Sequence, residues 1–110
     1  MDIFDIIKQP YSSKITSVLD ENSEYVKDLK SKPIKKNENG ETPLHYLVKN
    51  EKDLGNGVTL KRDVRMTILI TLSFPEYKNE KDNDGKIPLD YIKEIDHTLV
   101  RIMLDELLSK

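Results

Sequence analysis

An all-α fold is expected from this 110-residue chain, and three features predict it. First, a turn followed by a helix start is written twice. It stands as Asn37-Glu38-Asn39-Gly40-Glu41-Thr42-Pro43-Leu44-His45-Tyr46 and, weakened, as Asp82-Asn83-Asp84-Gly85-Lys86-Ile87-Pro88-Leu89-Asp90-Tyr91. Gly, Pro, Leu and Tyr keep their mutual spacing in both copies, the mark of an internal repeat. Second, Val100, Met103, Leu104, Leu107 and Leu108 fall at i, i+3, i+4, i+7 and i+8, a helical stripe. Third, Pro10, Pro75 and the Gly55/Gly57 pair stand between apolar segments, where they interrupt helices.

Taken in order, Ile3, Phe4, Ile6 and Ile7 crowd a short first helix that ends near Pro10. Ser12 or Ser13 caps a second, with Ile15, Val18 and Leu19 on one face. Residues 23–36 read as a longer connector in which Tyr25, Val26 and Leu29 tuck against the core, with Lys30, Lys32, Lys35 and Lys36 as a basic tail. The first motif copy then opens a helix from Pro43 to about Asn50. A loop follows around Gly55 and Gly57, and the next helix spans 62–73, because Pro75 forbids continuation beyond Phe74. The second copy opens a helix from Pro88 to about Glu94, and the last runs from about Thr98 to Leu108.

Each motif has a physical logic. Asn39-Gly40 and Asp84-Gly85 are turn dipeptides, since these residues tolerate positive φ. Thr42 sits where a helix N-cap belongs, and Pro43 follows at the first helical position, where its missing donor costs nothing. Leu44, Leu47 and Val48 supply the apolar stripe. In the second copy Ile87 replaces the Thr, and Asp90 places a carboxylate in the first helical turn, where the helix dipole favours it.

The run Gly40-Glu41-Thr42-Pro43-Leu44-His45 resembles the ankyrin repeat, whose signature is T-P-L-H. The resemblance implies a single domain over residues 1–110. It would be a right-handed stack of three helix pairs, with units at about 1–35, 36–80 and 81–110 and the outer two acting as caps. Gly40, Thr42, Pro43, Leu44 and His45, and then Gly85, Pro88 and Leu89, would be structural. His45 would bond between neighbouring turns with Thr42 as a partner, and His97 would stand at a structural turn between helices. Two departures follow. Gly40 to Gly85 spans 45 residues, whereas the family period is about 33, so an insertion is expected near 51–61. It holds Leu54, Val58 and Leu60; Leu60 with Val64 extends the apolar face of the following helix. Leu47 and Val48 also stand where the family prefers two Ala.

By the same resemblance the function is non-catalytic binding to another protein. The chain would act as an inhibitor, immunity factor, adaptor, or pathogen or viral effector. Partner-facing positions would be Lys36, Glu38, Asn39, Glu41, Lys49 and Asn50 in the middle unit. In the last unit they would be Lys81, Asn83, Asp84, Lys86, Glu94 and Ile95. Self-association is the alternative class, although a monomer is expected.

Composition excludes several other classes. Lys+Arg 18 against Asp+Glu 20 gives a formal net charge of -2, so no global field points to nucleic acid or an anionic membrane. The stretch 27–36 is basic, but Asp28, Glu38 and Glu41 break the run and no aromatic residues are interleaved. It reads as a solubilising connector, next as a patch for an acidic protein partner, and last as a nucleic-acid contact. The absence of Cys excludes thiolate chemistry and suits a reducing, cytoplasmic setting. No secretory signal is expected, because the first residues carry Asp2 and Asp5, and the apolar run 66–74 is too short to span a bilayer. Two His without Cys make no zinc pattern. The group Glu80, Asp82 and Asp84 lacks the ligand spacing of a calcium loop and reads as a solvated turn. No catalytic, metal or cofactor site is expected.

Overall fold

A computed structural model describes the backbone of residues 2–9, 12–51, 57–93 and 98–109, with side chains in 2–9, 12–49, 65–93 and 101–109. Every regular element among them is helical. The α-helices are α1 (Ile3–Ile7), α2 (Ser13–Val18), α3 (Glu24–Lys30), α4 (Pro43–Glu51), α5 (Gly57–Ser73), α6 (Leu89–Ile92) and α7 (Thr98–Leu108), with a 3₁₀ helix at Pro75–Asn79. No described helix is long and apolar enough to cross a membrane.

The short N-terminal helices are held by side-chain caps, each satisfying a backbone donor that the first turn leaves open. Asp2 Oδ1 accepts from Phe4 N–H at 2.8 Å, and Ser12 Oγ from Ile15 N–H at 3.3 Å. Ser23 Oγ does the same for Val26 N–H at 3.1 Å while donating to the Val18 carbonyl at 2.6 Å. That last cap corrects the connector expected over 23–36, whose first half is α3. Glu24 in its first turn and Lys27 and Lys30 in its last complement the helix dipole. Val26 is fully buried, with Tyr25 and Leu29 packed against the core.

The middle of the chain departs from expectation more strongly. Helix α5 begins at Gly57 rather than at 62, so Gly57 opens a helix instead of marking a loop. Since α4 runs to Glu51, the expected insertion shrinks to 52–56, which together with the side chains of Val58, Leu60 and Val64 lies outside the described residues. The 45 residues from Gly40 to Gly85 include the 17 of α5 and the five of the 3₁₀ helix. Phe74 leaves the helix at φ -131° and ψ 66° ahead of Pro75, as the proline requires. Helix α6 is shorter than expected, ending at Ile92; residues 94–97, His97 among them, lie outside the described set.

Helix α4 is the hub. It packs against α1, α5, α6 and the 3₁₀ helix, and Leu44, Leu47 and Val48 are all buried beside Ile3, Ile6, Met66, Ile70 and Ile92. Ser73, also buried, donates to the Leu19 carbonyl and fastens the end of α5 to the end of α2. In α7 the buried stripe is narrower than the spacing predicts. Leu104 and Leu108 are inside, but Met103 is 41% exposed and its neighbour Ile102 56%.

Candidate functional site

The two motif copies fold into one structure twice. Asn37 Oδ1 accepts from the N–H groups of Asn39 and Glu41, both at 3.0 Å. Forty-five residues on, Asp82 Oδ1 accepts from Asp84 at 2.9 Å and Lys86 at 3.0 Å. The backbone bonds repeat as well: Asn37 N–H to the Glu41 carbonyl at 3.0 Å and Asp82 N–H to Lys86 at 2.9 Å. Gly40 and Gly85 donate to Asn37 and Asp82 at 3.0 Å, with φ of 75° and 76°, a region only glycine adopts cheaply. Asn and Asp fill the same role because each has a side-chain oxygen that gathers backbone donors one turn ahead.

The passage from turn to helix differs between copies. Thr42 Oγ1 accepts from His45 N–H at 3.3 Å, and Thr42 N–H donates back to His45 Nδ1 at 3.2 Å, a reciprocal cap. In the second copy Asp90 Oδ2 accepts from Ile87 N–H at 2.9 Å. The carboxylate thus supplies the half of the reciprocal cap that the His45 ring supplies in the first copy, while the half made by the Thr42 hydroxyl is lost with the change to Ile.

The turns stack in register. Asn83 N–H donates to the Asn39 carbonyl at 3.1 Å and its Nδ2 to the Glu38 carbonyl at 3.3 Å. Lys36 Nζ reaches the Lys81 carbonyl at 3.1 Å and the Glu80 carboxylate at 3.3 Å. His45 Nε2 lies 2.8 Å from the Lys86 carbonyl. Because Nδ1 accepts from Thr42, Nε2 carries the proton and donates. Both ring nitrogens of this buried histidine are therefore spent, Nδ1 on the cap of its own helix and Nε2 on joining the turns. Gly40 is needed for contact as well as for φ: a Cβ there would meet Asn83 side-chain atoms and stand 2.8 Å from its backbone nitrogen, whereas one at Gly85 meets nothing.

Beneath the turns lies a polar layer that sequence reasoning missed. Glu41 is 5% exposed, accepts from Asn37 Nδ2 at 2.9 Å, and is ion-paired with Lys49. Burial would by itself raise the Glu41 pKa and is the largest single influence, but the bonds from Asn37 and Lys49 outweigh it and hold the carboxyl below its ordinary range. Tyr91 donates to Asp82 Oδ2. Desolvation acts upward on Asp82 too and is likewise outweighed, by Tyr91 and the two backbone donors, so that carboxyl is also lowered. Burial first, then Asp82, pushes the Tyr91 phenol well up. Lys49 and Lys86 place their ammonium groups 5.0 and 5.4 Å from the Tyr91 ring centre, a cation–π arrangement.

These facts redistribute the partner-facing positions. Glu38, Asn39, Lys81, Asn83, Asp84 and Lys86 are exposed along the stacked turns, as is Lys36. Glu41 is a correction: it points inward because Asn37 and Lys49 offer it bonds there. Lys49, its partner, is only about a third exposed (34%). The Asn50 side chain, Glu94 and Ile95 lie outside the described residues. Asp82 is a further correction. It is buried and organises its turn rather than being solvated. The signal was present, since the 45-residue offset pairs Asp82 with Asn37 and Tyr91 with Tyr46. No group of three or more His, Cys, Asp or Glu among the described residues is placed to hold a metal ion. Compared with protein-family models, curated proteins and solved structures, the chain matches none.

Proposed function

We propose that this chain is a short ankyrin-type stack acting as a non-catalytic protein-binding module, occupying a surface of its partner. One observation carries the reading: two turns 45 residues apart repeat the same hydrogen bonds and stack in register, joined through His45, Asn83 and Lys36. Such a preformed rim loses little conformational entropy on docking, so modest contacts suffice for useful affinity. The side chains it offers are Glu38 and Asp84 with Lys81 and Lys86, charges of both signs spaced along a rigid edge and suited to a polar partner surface. The test is capture of a partner from the native source, identified by mass spectrometry and repeated with the double variant Glu38→Lys/Asp84→Lys. Partner recovery should fall about tenfold at an unchanged melting temperature. Undiminished capture, with loss on deletion of 52–56, would move the interface to the insertion.

A second reading, self-association, draws on the exposed apolar side chains Leu72, Ile102 and Met103. Solution mass at micromolar concentration separates the two, a monomer favouring the binding module.

A further inference from the structure

Where the two turns meet, the first copy carries the dipeptide Asn39–Gly40 and the second carries Asp84–Gly85 in the same place. An asparagine followed by glycine is suited to losing its side-chain amide, because no Cβ shields the glycine nitrogen from the asparagine Cγ. The fold fixes Gly40, whose φ is 75° and where a Cβ would stand 2.8 Å from the Asn83 backbone nitrogen. The Asn39 side chain is exposed, and its amide bonds to no described residue. What restrains the pair is its main chain. To reach Cγ, the Gly40 nitrogen must swing about the Asn39 Cα–C bond, and the planar peptide carries the Asn39 carbonyl with it. Both ends of that peptide are held. Gly40 N–H donates to the Asn37 carbonyl at 3.0 Å, and the Asn39 carbonyl accepts from Asn83 N–H at 3.1 Å. Asn83 Nδ2 backs the second hold through its bond to the Glu38 carbonyl at 3.3 Å. The second turn thus clamps the reactive peptide of the first.

We infer that Asn39 is a spontaneous deamidation site held closed by the stacking of the turns, so that its conversion is a one-way mark that the stack has opened. With its proton passed to solvent hydroxide, the Gly40 nitrogen bonds to Asn39 Cγ. The Cγ–Nδ2 bond breaks, ammonia departs, and a cyclic imide is left. Water then opens the ring at either carbonyl: cleavage at Cγ gives aspartate, and cleavage at the main-chain carbonyl gives isoaspartate. Asparagine and water become acid and ammonia, with nothing oxidised or reduced. The two products differ in what they do to the stack. Aspartate is what the second copy already holds, and around Asp84 the turn keeps the same bonds and the same positive φ at the following glycine. Isoaspartate lengthens the main chain by a methylene ahead of Gly40, which displaces the carbonyl and the N–H from Asn83 and Asn37. The inference concerns the chemistry of the stack and stands whether or not its edge meets a partner.

The test incubates the full chain in mildly alkaline buffer, with and without denaturing urea, and follows Asn39 by mass spectrometry. Trypsin releases it in the peptide 37–49, whose fragments separate it from Asn37, while Asn56, which also precedes a glycine, falls in another peptide. Each bond of the clamp is worth about two- to tenfold in the population of the open turn. Conversion should therefore be slower in the folded protein than in urea by about tenfold or more. Asn83→Pro removes both donors of the second turn yet suits that turn. It is the second of the four residues closed by the Gly85 N–H bond to Asp82, a position that favours proline. With its fold verified by circular dichroism, this variant should convert Asn39 about fivefold faster than the parent. Should it not fold, Asn83→Ala, which loses the Nδ2 bond alone, takes its place with an expected rise of about twofold. Equal rates in the folded and urea-treated parent, no conversion in urea, or a folded Asn83 variant that converts no faster than the parent would each overturn the inference.

Discussion

Replacing Glu41 by Gln removes one charge from beneath the stacked turns and leaves the shape of the side chain almost unchanged. The carboxylate is buried, it accepts from Asn37 Nδ2 at 2.9 Å, and it pairs with Lys49. Hydrogen bonds to charged groups contribute about 1.5–3 kcal/mol, and breaking a fully buried pair costs about 3–5 kcal/mol. Lys49 keeps about a third of its side chain in water (34%), so the lower range applies. For a domain of this length that loss lowers the melting temperature by about 6–13 °C. A double-mutant cycle with Lys49→Met should assign most of it to the pair, because both substitutions act on one bond.

The pH dependence adds a second, independent reading. The folded protein holds the Glu41 proton less tightly than the unfolded chain, whose ordinary value is 4.5. The stabilisation is therefore fully present above that value and is lost as pH falls through the lower folded-state value. Lys49 is raised above its ordinary 10.5, chiefly by its bond to Glu41, so its share is present below that value and is lost as pH rises through the higher folded-state value. Parent and Glu41→Gln should differ at pH 7, and the gap should narrow as pH falls below the ordinary 4.5. Asp82 titrates in both proteins and cancels in the difference. Urea midpoints at pH 7 and pH 3 provide the assay. A pH 7 midpoint equal to the parent's, or a gap at pH 3 no smaller than at pH 7, would refute the account of a charge-paired buried carboxylate.

Five further substitutions probe the repeated turns. Thr42→Val should lower stability by about 1 kcal/mol, the usual cost of a lost cap, read from the urea midpoint. Ile87→Thr should fall within about ±0.5 kcal/mol of the parent by the same measurement, because Asp90 N–H, the donor a Thr hydroxyl would cap, already donates to the Ile87 carbonyl at 3.0 Å. Gly85→Ala should cost about 1–2 kcal/mol for its left-handed φ alone, and Gly40→Ala clearly more in thermal melts, because the new methyl stands against the Asn83 backbone. Tyr91→Phe leaves Asp82 Oδ2 without its donor and should cost about 1–3 kcal/mol by calorimetry.

Those parts of the fold set by local rules were legible in the sequence. Gly40, Thr42 and Pro43 specify a positive-φ turn, a cap and a helix start within four residues, and α4 begins where they place it. Pro75 likewise ends α5 by sterics alone. The elements that were misread depend on partners distant in sequence. Helix α3 lies in a stretch that reads as a connector with Tyr25, Val26 and Leu29 tucked against the core, and its order comes from Ser23 tying back to Val18 and from Val26 meeting the core. Met103 fits a helical stripe, yet the described neighbours of α7 leave it at the edge of what they cover.

Glu41 and Asp82 show why the candidate surface was harder to read than the fold. Acidic residues beside a glycine turn look solvated, and nothing in their immediate sequence shows that Lys49 and Tyr91 will approach from the following helices. The repeat supplies that information only when its copies are compared position by position. Asn37 faces Asp82 across the 45-residue offset because both hold a turn closed. Glu41 faces Lys86, which has the same backbone role and the opposite charge. Glu41 finds a cation one helical turn or two ahead and turns inward, whereas Lys86 keeps its ammonium near the Tyr91 ring and remains exposed. Equivalent backbone positions thus send one side chain to the interior and the other to the surface. The charges left exposed along the turns are therefore selected by what the next helix draws inward, and Glu38 and Asp84 at the turn tips stay in solvent where Glu41 and Asp82 do not.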